Sequence, residues 1–119
     1  MRVLLDECVP RPLGRALTGH DWSTVPKEGW SGFKNGQLLR AIEGRWDVLL
    51  TTDTNIPWQQ AVTRFSLAVL SFSLAVLIVR ARPNDIDDLQ PWVPEILRAL
   101  PALSKGTVAE VGDPDLLGK

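Results

Sequence analysis

The chain has 119 residues, of which 45% are hydrophobic and 23% are charged, a balance typical of one soluble globular domain. The formal charge of −1 excludes a general electrostatic attraction to nucleic acid, because strong non-specific binders carry an excess of cations. The single cysteine, Cys8, excludes an intramolecular disulfide framework and is compatible with a reducing compartment. No secretory signal follows Met1, so we expect a cytoplasmic protein.

The beginning of the chain alternates strand-like and helix-like patterns. The apolar run at 2–5 predicts a short buried strand, which stops at Asp6. Helical spacing after Pro12 predicts a helix that ends at Gly19. The β-branched content of 20–25 then favours a second strand.

The middle of the chain repeats this alternation. After a loop rich in Gly and Lys at 26–36, the spacing predicts a helix over 35–45, with Asn35 as its N-cap. The segment 47–52 is a clear buried strand and ends at Asp53. This order of elements indicates an α/β domain with a mainly parallel sheet.

The second half is less regular. Residues 55–62 are typical of a loop that leads into a short helix, and leucines and isoleucines at helical intervals predict a helix over 88–103. Residues 107–111 favour a last edge strand, and 112–119 form a polar tail that we expect to be flexible.

A tandem duplication interrupts this pattern. The sequence Phe-Ser-Leu-Ala-Val-Leu stands at 65–70 and again at 72–77, within an apolar stretch bounded by Arg64 and Arg80. The stretch contains three serines and is shorter than the roughly 20 residues that a membrane-spanning helix needs. We therefore expect no membrane association.

The spacing of the two copies decides how they can fold. A shift of seven residues would place them on opposite faces of a single strand, so only one copy is expected in the sheet. We expect the second copy, with Ile78 and Val79, to be that strand. The first copy would extend the preceding helix or pair elsewhere. A partner chain or domain swapping is expected to cover the surplus apolar surface, which predicts a homo-oligomer or a hetero-complex.

Acidic residues follow two of the predicted strands. Asp6 ends the first strand and Asp53 ends the strand at 47–52. Because ligands of parallel α/β sheets bind beyond the carboxyl ends of the strands, the two carboxylates are candidates for one site. Clustered carboxylates and water are the ligands of Mg²⁺ or Mn²⁺. For either aspartate alone, a structural role as a helix N-cap or turn residue is the alternative.

Three further residues are candidates for the same site. Asn55 could add a neutral oxygen ligand, or could make hydrogen bonds within its loop. Glu7 could face the same cleft or stabilise the start of the next helix. Glu28 lies in the Gly-rich loop, where a solvated carboxylate is the alternative to a catalytic one.

The remaining polar and aromatic residues give weaker indications. The lone His20 and Cys8 favour structural roles, and no Ser/His/Asp set or phosphate-binding glycine motif is present. Trp30 and Trp58 could stack on unpaired bases or pack in the core. Four arginines could form a phosphate-facing patch or lie on solvated helix faces: Arg11, Arg15, Arg40 and Arg45.

Four segments of the chain together suggest a known family: Leu4-Leu5-Asp6-Glu7, Gly19-His20-Asp21, Glu28-Gly29 and Leu49-Leu50-Thr51-Thr52-Asp53-Thr54-Asn55. In their order and spacing they resemble the small PIN-like nucleases, a short bacterial group related to the VapC toxins. The resemblance covers most of residues 1–111.

The resemblance implies a Rossmann-like, three-layer α/β/α domain over 1–111, with a mainly parallel sheet of four or five strands. It implies that Asp6 and Asp53 bind Mg²⁺ or Mn²⁺, and that Asn55 stands where the family has a second Asp or Asn. The implied activity is cleavage of RNA. The implied setting is the toxin component of a bacterial toxin–antitoxin system, with a small antitoxin protein as partner.

One departure from the family favours an alternative function. Where the family often has an acidic residue, at the start of the helix after the Gly-rich loop, this chain has Asn35. The alternative is a catalytically weak PIN-like module that binds RNA or an antitoxin without efficient cleavage. A third possibility is a phosphoacceptor or phosphatase-like α/β domain. We rank it last, because the Lys and Ser/Thr residues expected after the later strands are missing.

Overall fold

A computed structural model describes residues 1–33, 35–42, 44–52, 75–80, 89–103 and 108–114. Within these ranges the chain forms one five-stranded, wholly parallel sheet, in the order β2-β1-β3-β4-β5. The predicted α/β class with a parallel sheet is therefore confirmed. The strands are β1 at Arg2–Leu5, β2 at Asp21–Thr24, β3 at Val48–Thr51, β4 at Ala75–Arg80 and β5 at Val108–Gly112.

The first helix, α1, is a single turn at Pro12–Arg15 and is shorter than predicted. Its proline occupies the first turn, where a missing N–H costs nothing. The amides of Ala16 and Leu17 donate to carbonyls three residues back, at 3.0 Å each, so the chain tightens and leaves the helix well before Gly19.

The other helices also differ from their predicted bounds. Helix α2 covers Asn35–Ile42 and therefore starts at Asn35 but ends before residue 45. Gly44 follows it with a φ of +79°, a conformation that a helix cannot include. Helix α3, Val93–Ala99, is flanked by 3₁₀ turns at Gln90–Trp92 and Leu100–Ala102. The predicted helix over 88–103 is divided because three prolines in it lack an N–H: Pro91, Pro94 and Pro101.

Side chains alternate between the two faces of the sheet and build a core on each. On one face, Val3, Leu5 and Leu50 pack with residues of α1 and α3, and on the other, Leu4 and Leu49 pack with residues of α2. Helices thus cover both faces, as the three-layer arrangement requires. The helical residues of the two cores are Leu13, Ile96 and Leu100 on the first face and Leu38, Leu39 and Ile42 on the second.

The described part of the second copy, residues 75–77, lies in β4 together with Ile78 and Val79, as predicted. The first copy, at 65–70, and the predicted loop and helix at 55–62 lie outside the described residues. The predicted edge strand is present as β5, and it includes Gly112, the first residue of the predicted tail. In the part of the chain that the structure describes, no helix is long and apolar enough to cross a membrane.

Candidate functional site at the β1 and β3 strand ends

The direction of the chain reverses across the sheet between β1 and β3. From β1 the chain moves to β2 on one side, whereas from β3 it moves to β4 on the other side. Such a boundary opens a crevice beyond the carboxyl ends of the strands, where parallel α/β sheets bind their ligands. The register pairs Leu5 with Leu50, and the amide of Asp6 donates to the carbonyl of Leu50 at 3.0 Å. Asp6 therefore stands at this boundary, directly after β1, the strand that it was predicted to follow.

Hydrogen bonds fix the carboxylate of Asp6. Its Oδ2 accepts a hydrogen bond from Oγ1 of the buried Thr51 at 2.8 Å, and its Oδ1 accepts from the amide of Glu7 at 2.8 Å. Sγ of Cys8 lies 3.8 Å from the same Oδ2 and 3.5 Å from Thr51 Oγ1. The end of β3 thus orients the acid at the end of β1.

The carboxylate of Glu7 holds a neighbouring loop instead of joining Asp6. Its Oε1 accepts a hydrogen bond of 2.5 Å from the amide of Gly32, across the Gly-rich loop. Gly32 has a φ of +80°, which favours glycine at this position. The contact ties the end of that loop to the first residues after β1.

Glu28 has a different partner. Its Oε2 accepts a hydrogen bond of 2.9 Å from Oγ of Ser23, a buried residue of β2. The Glu28 amide also donates to the carbonyl of Thr24 at 3.1 Å, which closes the turn after β2. Its side chain is engaged in this turn and does not line the cleft beside Asp6.

An open cleft of about 600 Å³ lies at the carboxyl ends of β1 and β2. Two acids and two cations are among the residues that line it, together with a threonine from the end of β2. The cleft therefore carries both signs of charge, with Asp6 on its wall. Its lining residues are Asp6, Glu7, Val9, Pro10, Arg11, Thr24, Pro26 and Lys27.

The other predicted residues of the site, Asp53 and Asn55, lie outside the described residues. Strand β3 ends at Thr51, and the described chain continues to Thr52, so the chain reaches Asp53 from the strand next to Asp6. Within the described ranges, no group of three or more His, Cys, Asp or Glu residues could hold a metal ion. The described residues thus contribute one member of the predicted metal pair, Asp6.

The donor chemistry of Asp6 is compatible with a hard cation. An ionised carboxylate offers about four lone-pair positions. The Glu7 amide, the Thr51 hydroxyl and the Cys8 thiol use at most three of them. One position is left for Mg²⁺ or Mn²⁺, and the Thr51 hydrogen bond resembles the outer contacts that orient metal-binding carboxylates.

Sequence reasoning missed the role of two residues. The sequence pattern indicates Thr51 only as part of a strand and of the family segment at 49–55, although a hydroxyl at a strand end beside an acid is a usable signal. Lys27 was recognised only as part of a loop, but it lines the cleft. Both roles depend on which strands are neighbours, which the sequence pattern leaves open.

The structure also separates the other candidates. Of the four arginines proposed as a patch, only Arg11 lines the cleft, whereas Arg45 precedes β3 at the opposite edge of the sheet. His20 likewise precedes β2 at that opposite edge. Trp30 is partly buried against the core on the α2 face, which supports a packing role, and Trp58 lies outside the described residues.

Comparisons with known proteins give no assignment. No protein-family model, no curated protein and no solved structure matches the chain. Any function must therefore be argued from the geometry around Asp6 and from the sequence motifs.

Proposed function

We propose that the chain is a PIN-like, metal-dependent endoribonuclease that acts in the cytoplasm as the toxin component of a bacterial toxin–antitoxin system. The observation that carries the proposal is the contact of the Asp6 carboxylate with Thr51, at the boundary between β1 and β3. The contact directs an acid to the sheet edge at the end of β3. In the sequence, Asp53 stands two residues after Thr51. The sequence motifs that contain these residues resemble the same family.

Each residue has a distinct part in the proposed site. Asp6 and Asp53 would hold Mg²⁺ or Mn²⁺, which when bound supplies activation of water and stabilisation of charge at phosphorus. Thr51 keeps the Asp6 carboxylate in one orientation. Asn55 would add a neutral oxygen beside Asp53. Glu7 holds the Gly-rich loop at Gly32 against the end of β1.

Cleavage of RNA is the test of this proposal. Wild type, Asp6→Asn and Asp53→Asn are incubated with single-stranded RNA and Mn²⁺, with Glu28→Gln as a matched control because its carboxylate is engaged with Ser23. We expect each aspartate variant to lose at least about 100-fold in rate, more than changes to outer contacts of metal ligands cost. We expect the control to retain activity. Equal cleavage by all four proteins would contradict the proposal.

The alternative is a catalytically weak PIN-like module that binds RNA or an antitoxin protein. One observation favours it: α2 starts with Asn35 instead of an acid. Metal-dependent RNA binding without cleavage in the same assay would support this alternative. Asn35→Asp is its further test, since a restored acid would then raise the cleavage rate.

A phosphoacceptor domain is disfavoured by the later strands. The described part of β4 ends with Arg80, and β5 ends with Gly112, followed by Asp113. Among the residues that the structure describes, neither strand end presents the hydroxyl or lysine that such chemistry would use.

The antitoxin and the oligomeric state are tested together. Growth arrest on expression of the chain, relieved by a small protein encoded beside it, would support the toxin assignment. Co-purification of the two proteins would establish the hetero-complex. Growth unaffected by an active chain would contradict the toxin role and leave the nuclease assignment standing.

A further inference from the structure

Two cations of the cleft, Arg11 and Lys27, are free of ion pairs with any described residue. Elsewhere in the described chain, Arg80 pairs with Glu110 and Arg98 pairs with Glu95. The difference is notable because Arg11 and Lys27 share the cleft with two acids, Asp6 and Glu7. The cations are therefore available to an anion from outside the chain.

The acids of the cleft are engaged with other groups. Oδ1 and Oδ2 of Asp6 accept hydrogen bonds from the Glu7 amide and the Thr51 hydroxyl, and Oε1 of Glu7 accepts from the Gly32 amide. These bonds turn the carboxylates toward the β3 end and the Gly-rich loop.

The backbone holds the two cations on separate walls. Arg11 stands at the start of α1, where its carbonyl accepts from the Gly14 amide at 3.0 Å. Lys27 follows β2, and its amide donates to Oγ1 of Thr24 at 3.1 Å. Both side chains belong to exposed residues, so they can reach a ligand without losing a partner.

We propose that Arg11 and Lys27 form a phosphate-binding subsite on the β2 side of Asp6, which holds a backbone phosphate of a single-stranded nucleic acid. The subsite rests on the proposed function for its ligand, and it adds the residues that position the strand beside the acid. A local cation pair also explains how a chain with a net charge of −1 binds a polyanion.

An exposed aromatic residue favours a nucleic-acid strand over a free phosphate ion. Phe33 is 40% exposed, one of two large hydrophobic residues exposed within the described ranges. It directly follows Gly32, whose amide is bound by the cleft residue Glu7. Single-strand binders combine such an aromatic ring, on which a base stacks, with cations that follow the backbone.

The test is the salt dependence of RNA binding, measured by fluorescence anisotropy with a labelled single-stranded RNA in EDTA, which prevents cleavage. Wild type, Arg11→Gln and Lys27→Gln are compared with Arg45→Gln, which removes an exposed cation from the opposite edge of the sheet. Arg11→Lys and Lys27→Arg keep the charge, and circular dichroism checks that every variant is folded.

The slope of log K against log salt is negative, and we expect each cleft variant to reduce its magnitude by about 0.7, the contribution of one phosphate contact in a single strand. At fixed salt, affinity should fall about two- to fivefold for each, as for an exposed ion pair. The charge-retaining variants and Arg45→Gln should keep the wild-type slope. Phe33→Ala should weaken binding without a change of slope.

Three results would overturn the subsite. The first is that Arg11→Gln and Lys27→Gln have the same slope as Arg45→Gln. The second is that the wild type does not bind RNA. The third is that the wild type binds inorganic phosphate but not RNA. Cleavage with Mn²⁺, measured separately, distinguishes this failure from that of the proposed function. If the chain cleaves RNA but the cleft variants keep the wild-type slope, only the subsite is contradicted. If the chain does not cleave RNA but the cleft variants have slopes of smaller magnitude, only the nuclease assignment is contradicted.

Discussion

The hydroxyl of Thr51 donates a 2.8 Å hydrogen bond to the carboxylate of Asp6, although 45 positions separate the two residues in the chain. The contact exists because β1 and β3 are neighbours and Leu5 is in register with Leu50. The residues that follow this pair, Asp6 and Thr51, therefore lie side by side at the same edge of the sheet. This relationship makes the position of Asp6 a property of the sheet and not of a local turn.

Thr51→Val should separate positioning from folding. Valine keeps the shape of the buried side chain but removes the donor to Asp6. We expect about 1.5 kcal/mol of lost unfolding free energy, the low end for a hydrogen bond to a charged group because Asp6 is half-buried, and a loss of RNA cleavage of about 10- to 100-fold. Thr51→Ser is the matched variant, since it keeps the hydroxyl and should keep activity. If the Thr51→Val and Thr51→Ser variants cleave RNA equally well, the hydroxyl has no part in the site.

Glu7 is predicted to hold the Gly-rich loop through an acceptor that does not need to be charged. Glu7→Ala removes the acceptor for the Gly32 amide, so that amide should exchange with solvent about 10-fold faster. Glu7→Gln offers an amide oxygen and should retain most of the protection. Hydrogen exchange measured by NMR decides this, and equal exchange in alanine and glutamine variants would remove the loop-holding role.

The close approach of α1 to β2 depends on Gly14. A Cβ at this position would lie 2.2 Å from Cε3 of Trp22, so Gly14→Ala should cost about 1–3 kcal/mol of unfolding free energy. Trp22→Leu removes the ring, so Gly14→Ala should cost less unfolding free energy in that background. Urea denaturation of the two single variants and the double variant measures this coupling, and strictly additive effects would show that the ring is not the obstacle.

Gly112 is predicted to be required at the end of β5 for two reasons. Its φ is +126°, and a Cβ there would lie 2.2 Å from the carbonyl oxygen of Arg80 on β4. Gly29 is the control, because its φ of +84° is also positive but no atom beyond its own and its two chain neighbours lies within 4 Å of its Cβ position. Gly112→Ala should therefore destabilise the fold by at least about 1–3 kcal/mol more than Gly29→Ala. Thermal or urea unfolding compares them, and equal losses would exclude the clash.

The strands could be predicted from the sequence because apolar runs and β-branched residues determine them locally. β1 was predicted at its observed bounds, β3 lies within the predicted segment, and β4 extends one residue beyond its segment, to Arg80. The ends of the helices could be predicted less well from the sequence. They depend on the three-back hydrogen bonds after α1, the positive φ of Gly44 and the prolines around α3.

The site could be predicted only in part. Asp6 was found because an acid that follows a buried strand is visible in one segment of sequence. Its contact with Thr51 was not, because it depends on strand order and register. For the same reason, the sequence did not predict that Ser23 on β2 is the partner of Glu28 or that Lys27 lines the cleft.

Binding of Mn²⁺ tests most directly whether Asp6 belongs to a metal site. Electron paramagnetic resonance of free Mn²⁺ is recorded while wild type, Asp6→Asn and Glu28→Gln are titrated, with no RNA present. The account predicts that wild type and Glu28→Gln bind the ion alike, and that Asp6→Asn binds it at least about 10-fold more weakly. Equal Mn²⁺ binding by Asp6→Asn and wild type would contradict the account.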